Sequence, residues 1–163
     1  MKKYLFLIFI LIAKFVFAQK QSFLVINNIT DNSKSQLAIS FNIINNSDSS
    51  KFFYIISNSS FCEGLAYLEI IDDKTNEKGF YFPCKGRMQL DNISLNRKNS
   101  VVINHNSTCK LSIVISLKNV TVKMRKGRRY KLRLNFNYNN LVSNSTVDYY
   151  NQRMVSNQFI FSY

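Results

Sequence analysis

A single histidine, three cysteines and one cluster of carboxylates are the side chains of this 163-residue sequence whose types could support chemistry. His105 would have to serve any Ser–His or Cys–His nucleophile. It stands in Asn104-His105-Asn106-Ser107, a polar string with loop composition; no Gly-x-Ser-x-Gly turn occurs, and Cys109 falls at the entrance of an apolar run. A solvated loop histidine is therefore expected, and no catalytic residue is assigned. Asp72, Asp73 and Glu77 alternate with Lys74 and Lys78 in what reads as a hairpin tip, where solubilising charge is expected. Their spacing does not match an EF-hand loop. Gly64, Gly79, Gly86 and Gly127 are isolated, so they cannot build a phosphate-cradling loop. No Cys-x-x-Cys occurs, which leaves no zinc motif. The sequence calls for no metal and no cofactor.

Cys62, Cys84 and Cys109 carry a different chemistry. In an oxidising compartment a disulfide is expected, and an odd count leaves one thiol over. Cys62 and Cys84 flank a hairpin expected from Leu65–Ile71 and Phe80–Phe82, so a bond between them closes its open end with little reach. Cys109 then remains as a buried free thiol, with an intermolecular partner as the alternative.

The strongest charge signal is a run of cations. Between Lys118 and Arg133 lie Lys118, Lys123, Arg125, Lys126, Arg128, Arg129, Lys131 and Arg133, with no Asp or Glu among them. On a turn and the outward face of the strand that follows, Lys123, Arg125, Lys126, Arg128, Arg129, Lys131 and Arg133 would form one positive patch. An edge strand protected by its own charge is one reading. The other is a surface for an acidic envelope polymer, an anionic lipid head group or an acidic protein partner. Nucleic acid is electrostatically compatible, but it is not the expected cognate ligand of an exported chain.

Export is indicated by the first residues. Lys2 and Lys3 precede an apolar run, Tyr4–Phe17, broken only by Lys14, and Val16-Phe17-Ala18 supplies a signal-peptidase site. The uninterrupted stretch Tyr4–Ala13 is too short to span a bilayer. Residues 1–18 are expected to be a cleaved signal peptide and residues 19–163 one domain, secreted or periplasmic. Removing the leader deletes three lysines and takes the formal charge from +13 to +10.

The elements that must position these residues read as strands. Leu37, Ile39, Phe41 and Ile43 alternate with polar residues, as do Tyr130, Leu132, Leu134 and Phe136. A first run, Phe23–Ile26, is expected to end at Asn27-Asn28. Further runs cover Phe52–Ile56, Ser100–Asn104, Leu111–Leu117 and Gln158–Phe161, separated by Asn- and Ser-rich turns. An all-β antiparallel sandwich is the natural solution.

At the entry of the strand beginning at Tyr130, Gly127-Arg128-Arg129-Tyr130 resembles the turn and tyrosine corner of immunoglobulin-like and fibronectin-III-like domains. The closing Val155–Phe161 is similar to the final strand of small secreted bacterial domains of that kind. The resemblance implies an immunoglobulin-like β-sandwich and says nothing of activity. The absent Trp and the cysteine spacing exclude an antibody-type domain. Two function classes follow: an exported, non-enzymatic binding or structural module, and alternatively a proteinase-inhibitor-like secreted domain that inserts loops into a cleft. The hallmark loops of the second are not visible.

Overall fold

The computed structural model describes residues 22–33, 35–84, 93–94, 98–138, 141–142 and 148–163; the leader expected over residues 1–18 lies outside them. In chain order the elements are β1 (Phe23–Ser33), β2 (Gln36–Asn45), β3 (Lys51–Tyr54), α1 (Asn58–Cys62), β4 (Ala66–Asp72), β5 (Lys78–Phe80) and β6 (Ile93–Ser94). They continue as β7 (Ser100–Ile103), β8 (Ser107–Ser116), a 3-10 turn (Leu117–Asn119), β9 (Arg129–Asn137), β10 (Leu141–Val142), β11 (Arg153–Val155) and β12 (Phe159–Ser162).

The alternation in β2 decides one sheet. Leu37, Ile39, Phe41 and Ile43 are buried, while Ala38, Ser40 and Asn42 are only half-buried. With β2 at its centre, the antiparallel sheet has the order β1-β2-β8. β9 decides the other, because Tyr130, Leu132, Leu134 and Phe136 are fully buried along one face. This second sheet has the order β11-β9-β4-β5, with β12 also paired to β9. Two-stranded pairs β3-β7 and β6-β10 complete the all-β, multi-sheet architecture. The inward residues of β2, β4 and β9 belong to one hydrophobic cluster. Each fully buried Leu, Ile or Phe stabilises it by about 1.5–3 kcal/mol relative to exposure.

Four local expectations need correction. β1 does not stop at Asn27-Asn28; a register shift between Ile26 and Asn28 absorbs the polar pair, and pairing with β2 runs on to Ser33. The strand expected over Phe52–Ile56 ends at Tyr54, and the chain then turns into α1. There the Ser57 amide donates to Ser60 Oγ at 2.9 Å, a local bond that competes with continued strand. The closing run divides into β11 and β12, because the Ser156 hydroxyl donates to the Asn157 carbonyl and accepts from the Leu134 amide. Cys109 lies inside β8 opposite Ile43 and is half-buried, not buried, since β8 is an outer strand of its sheet.

The expected disulfide is present. Cys62, ending α1, is bonded to Cys84, beyond β5, with Cα atoms 5.4 Å apart. Asn157 ties the two large sheets together: its Oδ1 accepts from the Ile26 amide at 2.7 Å, and its Nδ2 donates to the Ile26 carbonyl at 3.3 Å. That side-chain amide replaces a strand neighbour for β1.

Candidate binding surface

The cationic segment leaves β8 through the 3-10 turn and lies along the edge of β5. The Thr121 amide donates to the Phe80 carbonyl, the Phe80 amide to Thr121 Oγ1, and the Phe82 amide to the Asn119 carbonyl. Val122 is buried against Gly79. A Cβ on Gly79 would stand 2.7 Å from the Val122 backbone nitrogen, so only glycine permits this approach. The chain then turns at Gly127, whose φ of 75° lies in the left-handed region. Its amide donates to the Tyr163 carbonyl, and the Tyr163 amide donates to the Arg128 carbonyl.

Tyr130 secures the far side of that turn. Its ring is fully buried, and its hydroxyl accepts from the Arg125 amide, five residues upstream, at 2.7 Å. A buried tyrosine at a strand entry bonded to upstream backbone has the geometry of a tyrosine corner.

The seven candidate cations fall into two groups. Arg128 Nη1 meets Asp72 Oδ2 at 2.9 Å, Lys131 Nζ meets Asp73 Oδ1 at 2.6 Å, and Arg129 Nη2 meets Asp73 Oδ2 at 3.4 Å. The antiparallel register of β4 on β9, with Asp72 opposite Tyr130 and Ile71 opposite Lys131, brings these groups together. Asp72 is therefore not the solvated hairpin-tip charge expected from its neighbours. It is 3% exposed and also accepts from the Lys74 and Thr75 amides. The Arg128 guanidinium, followed by those amides, holds its carboxyl at about 2. Lys131 is the first cause that lowers Asp73.

Lys123, Arg125, Lys126 and Arg133 form the other group. All four are exposed, and among the described residues no carboxylate lies within ion-pair distance of any of them. Arg133 is opposite Glu69 in the β4–β9 register, but Glu69 pairs with Lys78 at 3.7 Å. Lys118 and Lys123 also rim an open cavity of about 350 Å³ whose walls include Leu117, Met124 and Tyr163.

His105 is exposed, with Nδ1 against the Ser47 carbonyl. Among the described residues, no group of three His, Cys, Asp or Glu side chains is placed to hold a metal ion. No helix among them is long and apolar enough to cross a membrane. Two features escaped the sequence reading: the Asp72–Arg128 pair and the Asn157 clamp. The Asp72-Asp73 doublet was a signal for the first, but its partners depend on strand register. Comparison of the chain with protein-family models, with curated proteins and with solved structures finds no match in any of the three.

Proposed function

We propose that the chain is exported by cleavage of residues 1–18 and acts outside the cytoplasm as a non-enzymatic binding or structural module. In this reading it is an immunoglobulin-like β-sandwich that presents a basic face to an acidic envelope polymer. The observation that carries it is the division among the cations. Asp72 and Asp73 engage Arg128, Arg129 and Lys131, which brace the turn, and leave Lys123, Arg125, Lys126 and Arg133 facing solvent. Exposed unpaired cations on a braced scaffold favour attraction to a polyanion that depends on salt. The Tyr130 corner and the single core shared by both large sheets support the sandwich. The Cys62–Cys84 bond supports an oxidising destination.

The test uses dextran sulfate as a soluble polyanion, with wild type and a variant carrying Ser or Gln at Lys123, Arg125, Lys126 and Arg133. Wild-type binding should fall steeply between low and physiological salt. The variant should bind about tenfold more weakly or worse, with an unchanged unfolding midpoint, because exposed charges contribute little to stability. Equal binding by the variant, or binding indifferent to salt, overturns the reading.

A further inference from the structure

The two large sheets have four outer edges, and among the described residues other parts of the chain meet β5 and portions of β1 and of the β11–β12 edge. Segment 119–121 covers β5 through its backbone bonds to Phe80 and Phe82. β1 and the β11–β12 edge meet at Leu24 and Ile26, through the bridge between Leu24 and Ser156 and the Asn157 clamp. β8 remains.

Hydrogen-bond parity identifies which groups β8 presents. The Leu117 amide donates to the Ser35 carbonyl, so odd-numbered residues here point their backbone at β2. The Val114 carbonyl instead accepts from Asn58 Nδ2 at 3.4 Å, so even-numbered residues point theirs away. Thr108, Lys110 and Ser112 follow Val114 by alternation. Among the described residues nothing pairs with the outward amides and carbonyls of these three.

We infer that β8 is a docking edge for an extended acidic segment of another protein, which adds as a fourth strand beside β1-β2-β8. A row of alternating amides and carbonyls is matched by another peptide strand. The sign of the partner follows from charge. β8's only charged residue is Lys110, and 22 cations against 9 carboxylates make a second copy of the chain a repulsive occupant. Val114, four residues from Lys110 on the same face, is 41% exposed and supplies an apolar contact beside the cation. The matching strand carries a carboxylate opposite Lys110 and a small apolar side chain opposite Val114. This edge is separate from the four unpaired cations and does not depend on their role.

The probe is the acetylated, amidated peptide Thr-Val-Thr-Thr-Thr-Glu-Thr, which seats Val against Val114, displacing the exposed Asn58 side chain from the Val114 carbonyl, and Glu against Lys110 in antiparallel register. Bound to the full chain, it should slow exchange of the Lys110 and Ser112 amides. N-methylation of its central Thr, or Lys in place of its Glu, should each weaken binding about tenfold, the loss expected of one or two interactions at such an edge. Ser112→Pro removes an outward amide without touching the β2 ladder and should weaken binding similarly. Equal binding of the N-methylated or Lys peptide overturns the inference even if Ser112→Pro fails to fold. So does no binding, or protection of both amides without peptide, either in the dilute chain or rising with its own concentration. The variant at Lys123, Arg125, Lys126 and Arg133 should bind this peptide as wild type does, so failure here is distinguishable from failure of the polyanion reading.

Discussion

Asp72 and Arg128 stand 56 residues apart in the chain and meet at 2.9 Å, the carboxylate almost fully buried where β4 ends and β9 begins. Asp72 is held from 3.8 down to about 2, first by Arg128 and then by the Lys74 and Thr75 amides. Its folded value lies below its unfolded one. The stability it contributes is therefore complete above the ordinary carboxylate range and is lost as pH falls from about 3.8 through about 2. Arg128→Met should raise the Asp72 carboxyl toward 3.8 and move acid unfolding to higher pH. Carboxyl ¹³C titration with urea midpoints across that window checks both. An Asp72 value still near 2 in the variant would assign the shift to the amides alone.

Reduction of Cys62–Cys84 should lower stability by about 3 kcal/mol, the chain-entropy value for a loop of this length. The bond ties α1 to the irregular segment leaving β5 across a separation of 22 residues. Cys62→Ser with Cys84→Ser should show the same drop in urea midpoint and no further response to reductant. Cys109, free and half-buried, should label slowly with a thiol reagent in folded protein and quickly in urea.

Legibility followed the range over which each feature is decided. β2 and β9 were readable because one buried face imposes period two within a single strand. Cys62–Cys84 was readable because its hairpin is local. Asp72 was misread because its neighbours Lys74 and Thr75 signal a turn, while its burial depends on Arg128 arriving through β4–β9 register. α1 is five residues long, too short to display a helical period. The cations looked alike in sequence, and only pairing across strands separates Arg128, Arg129 and Lys131 from Lys123, Arg125, Lys126 and Arg133.

Gly79→Ala should destabilise the chain by about 1–3 kcal/mol, as overpacking does. The added methyl meets Val122 backbone as well as side chain, so a rotamer change cannot relieve it. Segment 119–122 must then move off β5, weakening its bonds to Phe80 and Phe82. Thermal unfolding measures the loss, and faster exchange of the Phe80, Thr121 and Phe82 amides locates it. A stability loss without local exchange changes would place the strain elsewhere.

Asn157→Ala should cost about 2 kcal/mol, since it removes both side-chain bonds to Ile26 at roughly 1 kcal/mol each. Asn157→Asp separates the two contributions. An ionised carboxylate still accepts from the Ile26 amide, but it opposes the Ile26 carbonyl, which has lost its donor. Protonation restores an O–H donor, so this variant should regain stability relative to Asn157→Ala as pH falls through its carboxyl titration. Either change also bares part of the β1 edge, where the outward groups of Ile26 would be left without a partner. An uncovered strand edge invites pairing with other chains. Asn157→Ala should therefore aggregate faster than wild type on mild heating, by an amount greater than its lower unfolding midpoint explains. Light scattering at matched distance below each midpoint separates the two contributions. Equal scattering there would show that β1 stays covered by the Leu24–Ser156 bridge without the clamp.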